Sequence, residues 1–441
     1  MEGDIAPEPR HLGKAMLWLW YRRELRFGTI QTHPEPLCRD MSVIPPELLD
    51  AIVCEIDDVQ TLKSCSLVAS TLRYSSQRIL LSSLTIGKKK YAHACKLLTE
   101  SLHIAGYVTR LTIKLGSLRN VLASADVETF VQILDKLQNV RRCTVDGMWY
   151  KSTFSNFSER SRIPPFLLDF FLRQPLQELH LRLIDVDPAV LWRVLALAPT
   201  LHLRTVIMDE RIDVLSTAAV PPPSPSLDSL HLMNGTIGQF LAHPQNVSCV
   251  ASLRHLLVES YDNWAGPMIE AASHTLEHIQ FDTPNYFSGG CSPPMLPRLP
   301  ALRIVQFTFP GLIIAAATAE LISAAAKSLS SLATPQMSPA LADVVIKQRS
   351  AKDGVFDASP YVPLMTMLDA ALAAYPSPPC VHWVLATDKE EPTTSLAHFA
   401  DGVRRAMPKA GSTGRLVLEA YLQSRVFGRA DGALYPLGES S

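Results

Sequence analysis

Eight copies of one apolar spacing organise the middle of this chain. They begin at Val108, Val140, Leu176, Leu203, Leu227, Leu253, Leu276 and Leu302, and each has apolar or Cys residues at its first, fourth and sixth positions. Alternation at the fourth and sixth positions is the signature of a strand buried on one face. Successive copies start 32, 36, 27, 24, 26, 23 and 26 residues apart. Between them lie helix-like stretches at 127–137, 164–173, 189–198, 237–242 and 268–273. A strand and a helix at this period leave each unit with apolar faces that only its neighbours cover, so the units must stack. The competing arrangement is an ordinary α/β domain with alternating strands and helices.

If the fourth and sixth positions face the core, the third, fifth and seventh face the other way. These positions carry Arg110, Lys114 and Arg142 in the early copies and Glu259 and Asp282 in the later ones, a charge gradient fit to orient a ligand. Ile207, Met233 and Leu257 add apolar groups to the same face, which marks it as a contact surface. The candidate target-binding strip is His180, Arg182, His231, Met233, His255 and Glu259. Histidines of neighbouring copies that meet there would make binding vary with pH near about 6.5. The unit resembles a divergent leucine-rich repeat, lacking the Asn or Cys of the strict form. That resemblance implies a solenoid whose curved parallel sheet presents the strip on its concave side.

Residues 44–86 have a different pattern. A double proline precedes Leu48, Leu49, Ile52, Val53 and Ile56, at helical spacing. A second amphipathic segment holds Leu62, Cys65, Val68 and Leu72, and a third Ile79, Leu80 and Leu84. Three short helices make too small a core to stand alone, so the unit should finish its burial against something else. Asp57-Asp58 reads as a turn with a helix cap at Thr61.

The order Ile44-Pro45-Pro46-Glu47-Leu48-Leu49, Ile52, Ile56, Leu62, Cys65 and Leu67-Val68 resembles the F-box, the adaptor-binding module of Skp–cullin–F-box ubiquitin ligases. Leu72 stands where the family has Trp, and Gln60-Thr61-Leu62 replaces its Asp-Leu. The resemblance implies docking on a Skp-type adaptor, and through it on a cullin. Pro45, Pro46, Leu48, Leu49, Ile52 and Leu67 are the expected contacts, some of which must instead face the module's own core.

Composition narrows the classes. Hydrophobic residues make up 47% and the net charge is −1, which allows a large core and gives no overall pull toward nucleic acid. The eight cysteines have no metal-ligand spacing and sit among apolar residues, as buried thiols do. The longest apolar stretches are too short to span a bilayer. None of the glycine-rich phosphate, zinc-protease or nucleophile-elbow motifs is present. His274 and His278 are four apart, but 276–281 reads as a strand.

The expected fold class is therefore α/β, with a three-helix F-box-like module followed by an irregular leucine-rich-repeat-like solenoid. The expected divisions are a leader at 1–41, the module at 42–86, the solenoid at 87–330, a loop or insertion at 331–360, further strand–helix repeats at 361–425 and a tail at 426–441. The expected function is that of a non-catalytic substrate receptor without cofactor or metal, cytoplasmic or nuclear. Its partners would be the adaptor, the cullin and an unknown target protein, with neither nucleic acid nor membrane. The alternatives are a ligase-independent scaffold and, behind it, an enzyme with an unrecognised site.

Overall fold

The computed structural model describes residues 44–87, 91–115, 126–147, 161–208, 227–233, 235–258, 264–282, 296–309, 315–349, 357–387 and 393–422. The expected leader (1–41) and tail (426–441) lie outside them. The first described unit is a trio of helices: α1 (Pro46–Cys54), α2 (Val59–Val68) and α3 (Ser70–Leu80). Pro46 occupies the first turn of α1, where its missing N–H costs nothing. The cap of α2 is Asp58, whose carboxylate accepts from the Thr61 N–H at 2.7 Å; the cap expected at Thr61 is thus its donor. Ala69, with extended φ −134° and ψ 130°, breaks α2 from α3.

Both α1 and α2 pack against α3. The apolar set of α1 divides into two stripes. Leu49 and Val53 are buried, while Leu48 and Ile52 face outward. The third apolar segment divides as well: Leu84 belongs to the strand β1 (Ser83–Ile86), not to a helix.

Elements then alternate: α4 (Tyr91–Glu100), α5 (Leu102–Ala105), β2 (Arg110–Lys114), α6 (Asp126–Lys136), β3 (Arg142–Asp146), β4 (Ser161–Arg162), α7 (Pro165–Leu172), β5 (Glu178–Arg182) and β6 (Ile184–Val186). Next come α8 (Pro188–Leu195), β7 (Thr200–Arg204), β8 (Ile207–Met208), β9 (Ser229–Leu232), α9 (Gly235–Ala242), β10 (His255–Val258), α10 (Ala265–Ala271), β11 (His278–Asp282) and β12 (Ile304–Phe309). The chain finishes with α11 (Ala315–Leu332), β13 (Asp343–Arg349), α12 (Val362–Leu372), β14 (Cys380–Thr387), α13 (Thr393–Ala406), α14 (Pro408–Ser412) and β15 (Leu416–Leu422).

Twelve strands form one open parallel sheet in the order β1-β2-β3-β5-β7-β9-β10-β11-β12-β13-β14-β15. Its order in space is its order in sequence, as the repeat requires. One apolar cluster joins alternate residues of every strand to the helices that connect them: Leu179 and Leu181 with Phe170, Leu191 and Leu195, for example. The other face of the sheet carries the polar side chains. Backbone bonds tie the helical trio to the sheet's first edge, the Thr109 and Arg110 N–H groups both donating to Ser82 O at 2.9 Å. The Tyr74 ring also meets Tyr107 edge-on at 5.4 Å. This is the outside support that so small a trio needs.

A second, three-stranded sheet holds β4, β6 and β8. It exists because the chain bends sharply one residue after β5 and again after β7. Leu183 (φ 55°) and Thr205 (φ 53°) occupy equivalent places there, both in left-handed backbone. At the matching place after β3 stands Gly147, whose N–H donates to Arg182 O at 2.8 Å. A Cβ on Gly147 would lie 2.0 Å from the Leu183 carbonyl oxygen, so only glycine permits the approach.

The bend corrects one expectation. The copy placed at 203–208 straddles it: Leu203 lies in β7, whereas Val206 and Met208 belong to the bend and β8. Thr200 is the residue paired with Glu178, so the repeat's true fourth strand is Thr200–Arg204. A second correction concerns 331–360, expected as a loop or insertion. It contains β13, fully paired between β12 and β14. The strand–helix repeats expected at 361–425 correspond to α12, β14, α13, α14 and β15. No helix among the described residues is long and apolar enough to cross a membrane.

Candidate functional site

The helical trio places much of its apolar surface in solvent. Leu48 is 56% exposed, Ile52 41%, Leu67 80% and Val68 82%. Of eleven exposed large apolar side chains among the described residues, seven lie between 44 and 74, so the exposure is concentrated in one small module. Pro45 and Pro46 are exposed as well. Leu49 was expected at an adaptor contact, but it is buried on the inward stripe of α1.

On the polar face of the sheet, register brings histidines side by side. His180, His202 and His231 are direct partners on β5, β7 and β9, and His255 and His278 are partners on β10 and β11. Parallel strands about 4.8 Å apart put such side chains in contact. The His180 and His202 rings stack at 4.0 Å with planes 4° apart. Both reach the same oxygen of Glu178: His180 Nε2 at 2.5 Å and His202 Nε2 at 3.4 Å. Arg142 Nε pairs with the other carboxylate oxygen. Burial pushes the Glu178 carboxyl up, but the hydrogen bonds from His180 and His202 and the nearby positive charge outweigh it and hold it far below the usual range.

The chain of contacts continues. His202 Nδ1 lies 3.0 Å from His231 Nδ1, and His255 Nδ1 lies 3.2 Å from Asp228 Oδ2. His202, His231, His255 and His278, with Ser229, line a niche of about 10 Å³, room for one water-sized occupant. Burial lowers the pKa of His202, takes that of His231 well below its ordinary value, and brings that of His278 down to about 4. These rings are neutral near pH 7, so the titration near 6.5 expected of meeting histidines is displaced downward.

Further along the same face, Asp343 and Cys380 are register partners, and His382 Nε2 sits 3.3 Å from Asp343 Oδ1. The hydrogen bond to Asp343 raises the His382 pKa.

The expected target-binding strip is therefore partly placed and partly corrected. Arg182, His231, Met233 and His255 stand on the polar face with some exposure. His180, only 2% exposed, is sealed beneath its neighbours, and so is Leu257. Glu259 lies outside the described residues. His202 and the exposed Arg204 were missed because the fourth strand was set out of register; the third and fifth places of that copy had gone to Thr205 on the bend and to Ile207, which sits in the small sheet, and the seventh to Asp209, which lies outside the described residues. No protein-family model matches the chain, and no curated protein matches it.

Proposed function

We propose that this chain is the substrate-recognition subunit of a Skp–cullin–F-box-type ubiquitin ligase, with α1–α3 as an F-box-like module and the strand–helix array as a divergent leucine-rich-repeat-like receptor. The observation that carries the reading is the concentration of exposed apolar residues on the helical trio. Leu48, Ile52, Leu67 and Val68 face solvent on a module with only a few buried apolar side chains of its own. A surface of that kind calls for a partner that covers it. The order of residues from Ile44 to Val68 resembles the module that a Skp-type adaptor covers.

On this reading the chain does no bond chemistry. It holds a target protein near the cullin-bound transfer machinery and raises its effective concentration there. The target would meet the polar sheet face around Arg182, Arg204, Met233 and His255, which mixes charged and apolar groups at the surface.

The test is co-purification of the full chain with a Skp-type adaptor. Leu48→Asp and Leu67→Asp alter exposed side chains and should abolish adaptor capture while circular dichroism and thermal unfolding stay unchanged. A wild-type chain that fails to hold the adaptor overturns the reading. So does capture that both variants leave intact.

A further inference from the structure

Beyond the histidine row, the polar face gathers a different cluster near the last strands of the array. Asp343 on β13 and Cys380 on β14 are register partners. His382 stands two residues beyond Cys380, so both project to the same side of the sheet. Val381 and Trp383 alternate with them and are fully buried in the core, which leaves Cys380 and His382 on the polar face. One donor atom each from Asp343, Cys380 and His382 lies within 4.8 Å of the other two.

That triangle has the size of a metal shell. Three points no more than 4.8 Å apart have a common centre within about 2.8 Å of each, and zinc bonds to oxygen, nitrogen and sulfur are about 2.0–2.3 Å long, so shifts below about 1 Å close the shell. Asp343 Oδ1 and His382 Nε2 are 3.3 Å apart. An ion bonded to both at about 2.0 Å would see them about 110° apart, close to the tetrahedral angle. Such an ion takes the place of the proton between ring and carboxylate, so the His382 ring does not have to turn.

The surrounding charges suit a cation. The hydrogen bond to Asp343 and the Glu419 charge raise the His382 pKa against its burial. Burial and then Asp343 push the Cys380 thiol up, and the exposed Arg415 opposes them more weakly. Glu178, His180 and His202 converge as closely, but Arg142 sits on that carboxylate, and a cation there would face a guanidinium.

We propose that Asp343, Cys380 and His382 form a binding site for a divalent transition-metal ion of the zinc class, with a fourth position open to water on the polar face. One carboxylate, one thiolate and one imidazole suit zinc or cobalt, whereas calcium and magnesium take oxygen donors. On binding, the thiol proton and the Nε2 proton leave to water. The thiol's hydrogen bond to Arg415 O, 3.3 Å long, is exchanged for the metal–sulfur bond. The ion then ties β13 to β14. Because the donors come from two strands, the spacing of the cysteines alone does not announce them. The site stands independently of the adaptor reading.

The experiment is titration of the metal-stripped full chain with Co²⁺ alone, followed by displacement with Zn²⁺. One equivalent should bind, with the intense visible bands of tetrahedral cobalt and a thiolate-to-cobalt charge-transfer band in the near ultraviolet. Cys380→Ser should abolish the charge-transfer band. His382→Ala should weaken binding at least about 100-fold. Cys54→Ser alters an exposed thiol outside the cluster and should change nothing. Absence of the charge-transfer band in the wild-type chain overturns the proposal. So does a band that survives Cys380→Ser, or one that Cys54→Ser removes. Circular dichroism checks that each variant is folded. If His382→Ala fails that check, the isosteric Cys380→Ser decides alone.

Discussion

His202 Nδ1 and His231 Nδ1 face each other at 3.0 Å, so one proton lies between two rings that are both buried and neutral. This contact joins a carboxylate on β5 to an imidazole on β9 through β7. The polar face is thus a connected network in its centre, and its energetics rest on Glu178, the single acid that accepts from Arg142, His180 and His202 together.

Removing that charge should destabilise the fold. Glu178→Gln keeps the shape but leaves Arg142 without its counter-charge and weakens both histidine bonds, an expected cost of about 2 kcal/mol at pH 7. The folded carboxyl lies below its ordinary value, so its contribution is complete above the unfolded pKa of about 4.3 and is lost as pH falls toward the folded one. Urea midpoints of wild type and variant should therefore differ at pH 7 and converge below pH 4. A gap that persists unchanged at pH 3 would show that the carboxylate's charge is not what holds the cluster.

The Asp343–His382 pair has the opposite dependence. The bond to Asp343 raises the His382 pKa, so its stabilisation is complete below the unfolded value of about 6.5 and disappears as pH rises through the folded one. Asp343→Asn should lower the thermal midpoint at pH 5.5 and have a smaller effect at pH 8.5. Proton NMR of His382 should show its titration moving down in the variant.

The array was legible because its signal is redundant. Leu179 and Leu181, or Ile279 and Phe281, alternate against helices that repeat the same demand for cover. The signal failed where local spacing had two solutions. Leu203, Val206 and Met208 satisfy the repeat as well as Ala198, Leu201 and Leu203 do, and only the left-handed bend at Thr205 decides between them. β13 was missed although Leu341, Val344 and Ile346 repeat the first, fourth and sixth spacing, because this copy starts 39 residues after the one at Leu302, beyond the long helix α11 and outside the spacing of the others. In the helical trio, spacing located α1 but not its orientation, since Leu48/Ile52 and Leu49/Val53 are adjacent stripes of equal character. Of the candidate site, His180, His231, His255 and His278 were legible singly, and His202 was not, because its strand was set out of register. Their pairing was not, because register between strands is a property of the whole sheet.

Leu183 and Thr205 share a backbone conformation but not its consequences. Left-handed backbone costs an L-residue roughly 1–2 kcal/mol, most severely when the side chain is β-branched as in threonine. Glycine relieves that strain and gives back about 0.5–1 kcal/mol through the greater freedom of the unfolded chain. Thr205 is half-buried with a small side chain, so Thr205→Gly loses little packing. It should raise stability by about 0.5 kcal/mol and lift the thermal midpoint slightly. Leu183 is equally half-buried but is larger and not β-branched, so Leu183→Gly gives up apolar contact for less relief and should destabilise. Denaturation of the two variants beside wild type checks the pair. Opposite signs are expected. A loss of stability in Thr205→Gly as large as that in Leu183→Gly would mean that the bend is held by side-chain packing and carries no strain.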